Sequence, residues 1–462
     1  MAREKFSSTL GSLLVLAGSA VGLGNIWRFP YMLGEYGGGA FILIYLVCMM
    51  LVSMPILLVE ILIGRRSQKT AYGSLGVIDR DGKVWKNFGS LFVLIPTITV
   101  SYYSVIGGWT VKYFIDSCAL KFTADSSALE ITGVFGDFVS SPWAPMIYHL
   151  VFLLAVCVII ALGVKKGIEQ FSKVMMPMLF VIMLLLAIRS MTIPAQPGIS
   201  QTAAQGVRYL FVPDFSKVGA STFAAALGQA FFSLSIGMGI MLTYGSYLPK
   251  KDNLAKTAAY TSVFDLIFAV IAGCAVIPAM FAYGMYSNPE MAVNGPGLVY
   301  KTLPVVFSQM PLGSVVAIFF FFAVILAALT SAMSLFEVPV SWLVETGRMK
   351  RPAACVTVFV LTYVIGLVCS LSFGVLSGFT IKDMNFFDAL DHVTANFLMP
   401  LAGFVVVLFA GWKMKKSDIM DELTNGGELK GLAKAFPVIY VLIRYVAPIG
   451  VLAVFLSSIF GN

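Results

Sequence analysis

The chain has 462 residues, 59% of them hydrophobic and only 12% charged, with a mean hydropathy of +0.90 and a formal net charge of +8. A soluble domain carries roughly a quarter charged residues, so this chain could not cover its own surface in water, which excludes a soluble enzyme, a disordered tail and a secreted disulfide scaffold. The 31 Lys and Arg are dispersed between apolar runs rather than gathered in a basic domain, which excludes nucleic acid as a partner, and 2 His leave no His-based metal site.

Apolar runs of about 20 residues, the length a helix needs to cross a bilayer core, recur along the chain. In order they predict eleven spans at 9–33, 39–64, 88–115, 146–163, 168–190, 218–246, 256–284, 312–344, 353–375, 386–412 and 436–459. MAREKF leads directly into the first run without a cleavable-signal pattern. The 6 Cys show no pairing rhythm and read as small packing residues. The linkers at 116–145, 191–217 and 285–311 are too short for a soluble domain, and GPGLVYKTLP in the last of them predicts a short surface helix. The expected class is an all-α polytopic membrane protein forming one transmembrane domain over 1–462.

Charge sets the orientation. With the N-terminus inside, 21 Lys and Arg fall on inside segments and 7 on outside segments. That asymmetry places the N-terminus in the cytoplasm and the C-terminus outside a plasma membrane.

Two spans are interrupted near their middles. The first holds Gly18-Ser-Ala-Val-Gly-Leu-Gly-Asn25 and the sixth holds Phe231-Phe-Ser-Leu-Ser-Ile-Gly-Met-Gly239. Gly weakens a helix by roughly 1 kcal/mol relative to Ala, and unpaired backbone at that depth survives only where it lines a cavity or binds something. Spans 1 and 6 correspond if spans 1–5 (about 9–190) and 6–10 (about 218–412) are copies of one unit, with 436–459 an addition. Five spans is an odd number, so the copies run in opposite directions. Broken helices at matching positions of inverted halves point to a transporter's midplane site. Close-packing Gly at helix crossings is the competing reading for either cluster alone. Freed carbonyls attract cations and half-helix N-termini attract anions, so a zwitterion fits between two such breaks. Arg28, Glu60 and Asp265 lie inside spans, where each is costly and therefore a functional candidate.

GSAVGLGNIWRFPY (18–31), YGGGAF (36–41), LLVEILIGR (57–65), ITVSYYSVIGGW (98–109), LGQAFFSLSIGMG (227–239) and ALTSAMS (328–334) together resemble the neurotransmitter:sodium symporter family with the LeuT-type fold. The matches are in order and cover nearly the whole chain, and the likeness is strongest to bacterial eleven-span amino-acid symporters. The resemblance implies two sodium ions. The first takes the Ala20 carbonyl, Asn25, Ser233, Asp265 and the substrate carboxylate; the second takes carbonyls of Gly18, Val21 and Ala327 and the hydroxyls of Thr330 and Ser331. Oxygen ligands suit a hard cation. Thr330-Ser331 is a polar pair in the otherwise apolar FFFFAVILAALTSAM (319–333), although such hydroxyls commonly bond back to a carbonyl one turn earlier.

By the same resemblance, the substrate site comprises Ala20, Gly22, Gly24, Thr99, Tyr103, Phe232, Ser233, Ser235, Met238, Ser331, Ala332 and Leu335. Tyr103 meets the substrate carboxylate. Where monoamine carriers have an Asp this chain has Gly22, so the substrate brings its own carboxylate. No charge lines this set, and Met238 between two Gly is flexible enough to accept large shapes. The expected substrates are therefore large hydrophobic or aromatic L-amino acids. Many relatives have Asn at the position of Asp265 and use chloride; a fixed carboxylate here removes that need, so no chloride is expected. The resemblance pairs Arg28 with an acid of span 10 as an outer gate, and Asp388 is favoured over Asp391. It pairs Arg3 with Glu345, supported by Tyr247, as an inner gate. Gly167 and Pro177 match a spacing associated with unwinding at the inner end of span 5. Glu60 is expected to brace the loosened backbone, and Glu337 has no assigned role.

The function that follows is sodium-coupled amino-acid symport into the cell by alternating access, with the bilayer and the amino acid as partners and no obligatory protein partner. No catalytic residue is expected. The alternatives are a sodium-dependent amino-acid sensor without transport, a symporter of a small aliphatic amino acid, and a sodium-coupled sugar or nucleobase carrier.

Overall fold

The computed structural model describes residues 4–79, 83–123, 125–286, 295–347 and 349–460. Among them the long elements are all helices. In chain order they are α1 (Thr9–Ala20), α2 (Gly24–Glu35), α3 (Gly39–Ser67), α4 (Val84–Cys118), α5 (Ala144–Ala161), α6 (Val164–Met191), α7 (Ala220–Ser233), α8 (Ile240–Gly245), α9 (Leu254–Ala282), α10 (Gly313–Glu345), α11 (Arg351–Leu371), α12 (Phe386–Lys413) and α13 (Lys430–Ser458). Nine of the described helices are long and apolar enough to cross a membrane, and ten spans result when α1 and α2, bent by 54° at their break, count as one. The region of the expected sixth span is not among them; it forms two shorter helices, α7 and α8, separated by residues 234–239. The short helix expected in GPGLVYKTLP runs through Leu298–Thr302 and on through Leu303–Gln309, and most of its side chains are buried.

The long helix α4 is the hub, packing along α5, α10 and α11. The half-helix α1 is enclosed by α6, α9 and α10. Its buried face is built from small residues, Gly11, Ala17, Gly18 and Ala20, which let neighbouring backbones approach closely. The periphery is apolar: Val151, Leu154 and Val158 on α5 and Val356, Val360 and Val364 on α11 are half-exposed or more. An outward aliphatic belt of this kind suits hydrocarbon rather than water.

Each break has a local cause. α1 ends at Ala20, with Val21 extended, Gly22 outside any helix, and the chain helical again from Leu23. α7 ends at Leu234, after which Ser235, Gly237 and Gly239 take positive φ of 54°, 77° and 70°. Gly239 is confined as well as left-handed, since a Cβ there would sit 2.5 Å from the Phe92 carbonyl oxygen. α6, by contrast, is continuous from Val164 to Met191 with Pro177 inside it. Gly167 lies in a π-helical turn pressed against the Ile159 carbonyl. The expected loosening between Gly167 and Pro177 is therefore absent from this conformation; the wide turn absorbs the strain and the ladder resumes.

Candidate transport site

The two breaks face each other across one narrow cavity of about 20 Å³. Eleven of the twelve residues expected at the substrate site line it; Ala332 is fully buried behind that lining. Glycines make the room. A Cβ on Gly22 would come within 2.5 Å of Ser331 Oγ and 3.3 Å of the Tyr103 hydroxyl, and one on Gly24 within 2.8 Å of the Phe232 ring.

The loosened backbone is satisfied by side chains, as burial demands. Gly22 N donates to Asn25 Oδ1 at 3.0 Å and Leu23 N to the Tyr103 hydroxyl at 3.4 Å. The Gln229 amide donates to the Gly24 carbonyl at 3.2 Å, and Ser235 Oγ to the Ser19 carbonyl at 2.9 Å. Gly237 N donates to Glu60 Oε1 at 2.8 Å. Glu60 thus braces the second break from α3, while its Oε2 has no hydrogen-bond partner among the described residues.

Behind Asn25 and Ser233, which line the cavity, lies the fully buried Asp265. It accepts from Asn25 Nδ2 at 2.7 Å, Ser233 Oγ at 2.6 Å and the Tyr45 hydroxyl at 2.8 Å. Its three donors are neutral, and among the described residues no side-chain cation is paired with it. Buried charges are paired or bind metal, so this donor set fits a small cation. The described residues hold no cluster of three or more His, Cys, Asp and Glu, and one carboxylate among neutral oxygens suits an alkali ion rather than a transition metal. Tyr45 was not foreseen. It sits in a two-sided apolar run, and nothing local marks it as facing Asp265.

The second expected sodium set is also assembled. Ser331 Oγ on α10 reaches the Val21 carbonyl at the end of α1 at 3.4 Å, and Gly18 packs against Thr330. Thr330 Oγ1 bonds to the Leu326 and Ala327 carbonyls at 3.1 and 3.0 Å, the local back-bond that competes with an ion for this hydroxyl.

Phe232 and Tyr103 separate the cavity from a wider vestibule of about 560 Å³. Arg28 lies in that vestibule, its guanidinium 5.2 Å over the Phe232 ring. Asp388 and Asp391 both line that vestibule with Arg28, and among the described residues neither is paired with it within 4.0 Å. Asp391 is the acid whose charge acts on Arg28, whereas Asp388 turns to its own helix start, accepting from Asn385 Nδ2 at 2.7 Å. The two acids are three residues apart, and the helix phase decides between them.

The opposite end of the cavity is closed by packing. Phe6 N bonds to the Tyr247 carbonyl at 3.1 Å and the Phe6 ring meets Tyr244 and Tyr247 edge-on. Ser7 Oγ donates to Glu169 at 2.5 Å. Arg3 lies outside the described residues. Glu345 accepts from Thr70 N at 2.7 Å. Tyr247 donates its hydroxyl not to Glu345 but to Glu337 at 2.6 Å. Glu337 is in turn paired with Arg351 at 2.6 Å, and Arg351 Nε reaches the Ile160 carbonyl at 2.8 Å. Glu337 thus gains a role that sequence alone did not assign.

The chain matches the profile of the sodium:neurotransmitter symporter family over residues 3–133 and 140–461. It is 36% identical to an uncharacterised sodium-dependent transporter of Bacillus subtilis, covering 98% of this chain and 97% of that one. It is 33% identical to an uncharacterised sodium-dependent transporter of Haemophilus influenzae, covering 99% and 98%. Among solved structures, the crystal structure of MhsT in complex with L-phenylalanine superimposes with a TM-score of 0.87 at 39% identity, over 99% of this chain and 100% of that one.

Proposed function

Since this chain belongs to the sodium:neurotransmitter symporter family, whose members are transporters and not enzymes, we propose that it couples sodium to the inward transport of large hydrophobic or aromatic L-amino acids by alternating access. The observation that carries this reading is the pair of opposed helix breaks around one cavity with the buried Asp265 behind its lining. The MhsT complex with L-phenylalanine supports an amino acid in the corresponding place. Tyr103, whose hydroxyl already lies against the first break, takes the substrate carboxylate. Met238 and Leu335 meet the side chain. A Lys or Glu side chain there would be buried without a partner, at a cost of several kcal/mol.

Two sodium ions are transported with the amino acid. One binds beside Asp265 with Asn25, Ser233 and the Ala20 carbonyl. The other binds between α1 and α10 through Gly18, Val21, Ala327, Thr330 and Ser331. The Asp265 charge replaces chloride. Arg28 and Asp391 draw together when the vestibule closes. Arg3, Glu345 and Tyr247 part when the other end opens, and Gly167 and Pro177 let α6 loosen there. The architecture is one domain of eleven spans, two inverted repeats of five plus α13, in the plasma membrane with the N-terminus cytoplasmic and the C-terminus outside, and no protein partner is needed.

The test is competition in proteoliposomes. Uptake of labelled leucine should be inhibited by tryptophan, tyrosine and phenylalanine and spared by lysine and glutamate. Methylene-scale discrimination is worth only about 1–3 kcal/mol, so several hydrophobic amino acids should compete together. Inhibition by glycine or alanine with none by tryptophan would overturn the large-substrate reading.

A further inference from the structure

Arg444 is the one cation of α13 beyond its first turns, and it sits away from the transport cavity. Its depth is fixed by α12. The Trp412 indole donates to the Arg444 carbonyl at 3.3 Å, and Gly411 lets the two backbones meet, since a Cβ there would lie 3.0 Å from Arg444 Cα. Trp412 and Lys413 form the end of α12, so Arg444 lies where the apolar part of the bundle stops.

The surroundings are aromatic and cationic. The guanidinium carbon lies 4.6 Å from the Trp412 ring centre, 5.6 Å from Tyr445 and 5.8 Å from Tyr440. The Lys416 ammonium lies 5.1 Å from the same Tyr440 ring and 5.8 Å from Phe436. Arg444 Nη1 donates to the Tyr440 hydroxyl at 3.0 Å, while its Nε is buried without a hydrogen-bond partner. Among the described residues, neither cation has an acidic partner within 4.0 Å; nearby acids are taken elsewhere, Asp79 by Lys413 and Asp418 by Arg66. The patch faces outward. Trp412 is 59% exposed and Tyr445 48%, and Val441, Ile449 and Leu452 continue the exposed face as aliphatic surface.

We propose that Arg444, Lys416, Trp412 and Tyr445 form a binding site for the headgroup phosphate of an anionic phospholipid, whose acyl chains lie along the aliphatic face of α13. A guanidinium presents a planar fork that phosphate oxygens satisfy in pairs. The rings hold that fork in place by cation–π contact, and indole and phenol groups favour the headgroup level. The guanidinium, the second cation and the adjoining aliphatic strip supply, respectively, a donor, a counter-charge and a chain groove. A soluble phosphate shares the first two features and would gain nothing from the third.

The experiment is native mass spectrometry of the intact protein with added phosphatidylglycerol, and separately with phosphatidylcholine of the same chains. The native protein should retain phosphatidylglycerol preferentially. Arg444→Gln should lower that retention about fivefold, and Lys416→Gln by a similar factor, given the usual weight of one cation near an anionic leaflet. Lys382→Gln, in the connection between α11 and α12, should change nothing. Lys416→Gln lies on the rim and keeps the test open if Arg444→Gln fails to fold. A thermal shift in phosphatidylcholine micelles adds the second arm: phosphatidylglycerol should raise the melting temperature and millimolar inorganic phosphate should not. Equal retention in both variants, or an equal stabilisation by inorganic phosphate, would overturn the proposal.

Discussion

Replacing Asp265 by Asn changes one atom and separates the ion's needs from the fold's. The carboxylate accepts three hydrogen bonds, from Asn25, Ser233 and Tyr45. An amide can accept on one side only, so one donor must turn away. Hydrogen bonds to a charged group are worth about 1.5–3 kcal/mol and neutral ones about 0.5–1.5, so roughly 1 kcal/mol is lost at each of the three contacts. Against this stands the removal of a fully buried charge, whose desolvation costs several kcal/mol. The two nearly cancel, and the variant should fold with a melting temperature close to native in sodium-free buffer. Sodium has no such compensation. Opposite unit charges about 4 Å apart at an effective dielectric near 20 attract by about 4 kcal/mol, close to a thousandfold in affinity. The assay is sodium titration of binding or uptake, together with thermal unfolding with and without sodium. The variant should lose sodium stabilisation as well as sodium-driven uptake. An unchanged sodium half-saturation in a well-folded Asp265→Asn protein would refute the reasoning.

Other outcomes follow from the same geometry. Tyr103→Phe removes the hydroxyl that faces Leu23 N and should weaken substrate binding by about 1.5–3 kcal/mol, the range for a bond to a charged group; equilibrium binding of labelled leucine checks it. Gly22→Ala places a methyl 2.5 Å from Ser331 Oγ and should abolish substrate binding while leaving sodium-free unfolding almost unaltered. Replacing chloride by gluconate should leave uptake unchanged, and a strong chloride stimulation would show that the Asp265 charge is not sufficient. Asp391→Asn should slow uptake severely, whereas Asp388→Asn, whose carboxyl accepts from the N-cap side chain of Asn385, should cost little; the reverse order would restore Asp388 to the gate.

What was legible in the sequence is what chain-local physics can encode. Gly clusters inside apolar runs announced both breaks, because only cavity-lining backbone tolerates them at that depth. Lone charges such as Glu60 and Asp265 stood out by their cost, and Glu60 does hold the second break. The ion sites needed the family pattern, since Thr330 and Ser331 alone read equally well as back-bonded hydroxyls. The remainder depended on tertiary phase. Tyr45 and Gln229 are ordinary residues in ordinary runs until the fold turns them toward Asp265 and Gly24. Glu337 found its partner Arg351 across a helix boundary, and the choice between Asp388 and Asp391 turned on a single helical turn. α8 is only six residues long, so the span that contains it was visible as hydropathy but not as one helix.

The most direct test of sodium-coupled symport is accumulation of labelled leucine in proteoliposomes under an inward sodium gradient, against the same vesicles in potassium. The account predicts accumulation above the outside concentration that collapses when the sodium gradient is dissipated. Equal uptake in sodium and potassium, or sodium-dependent binding in detergent with no accumulation in vesicles, would contradict it.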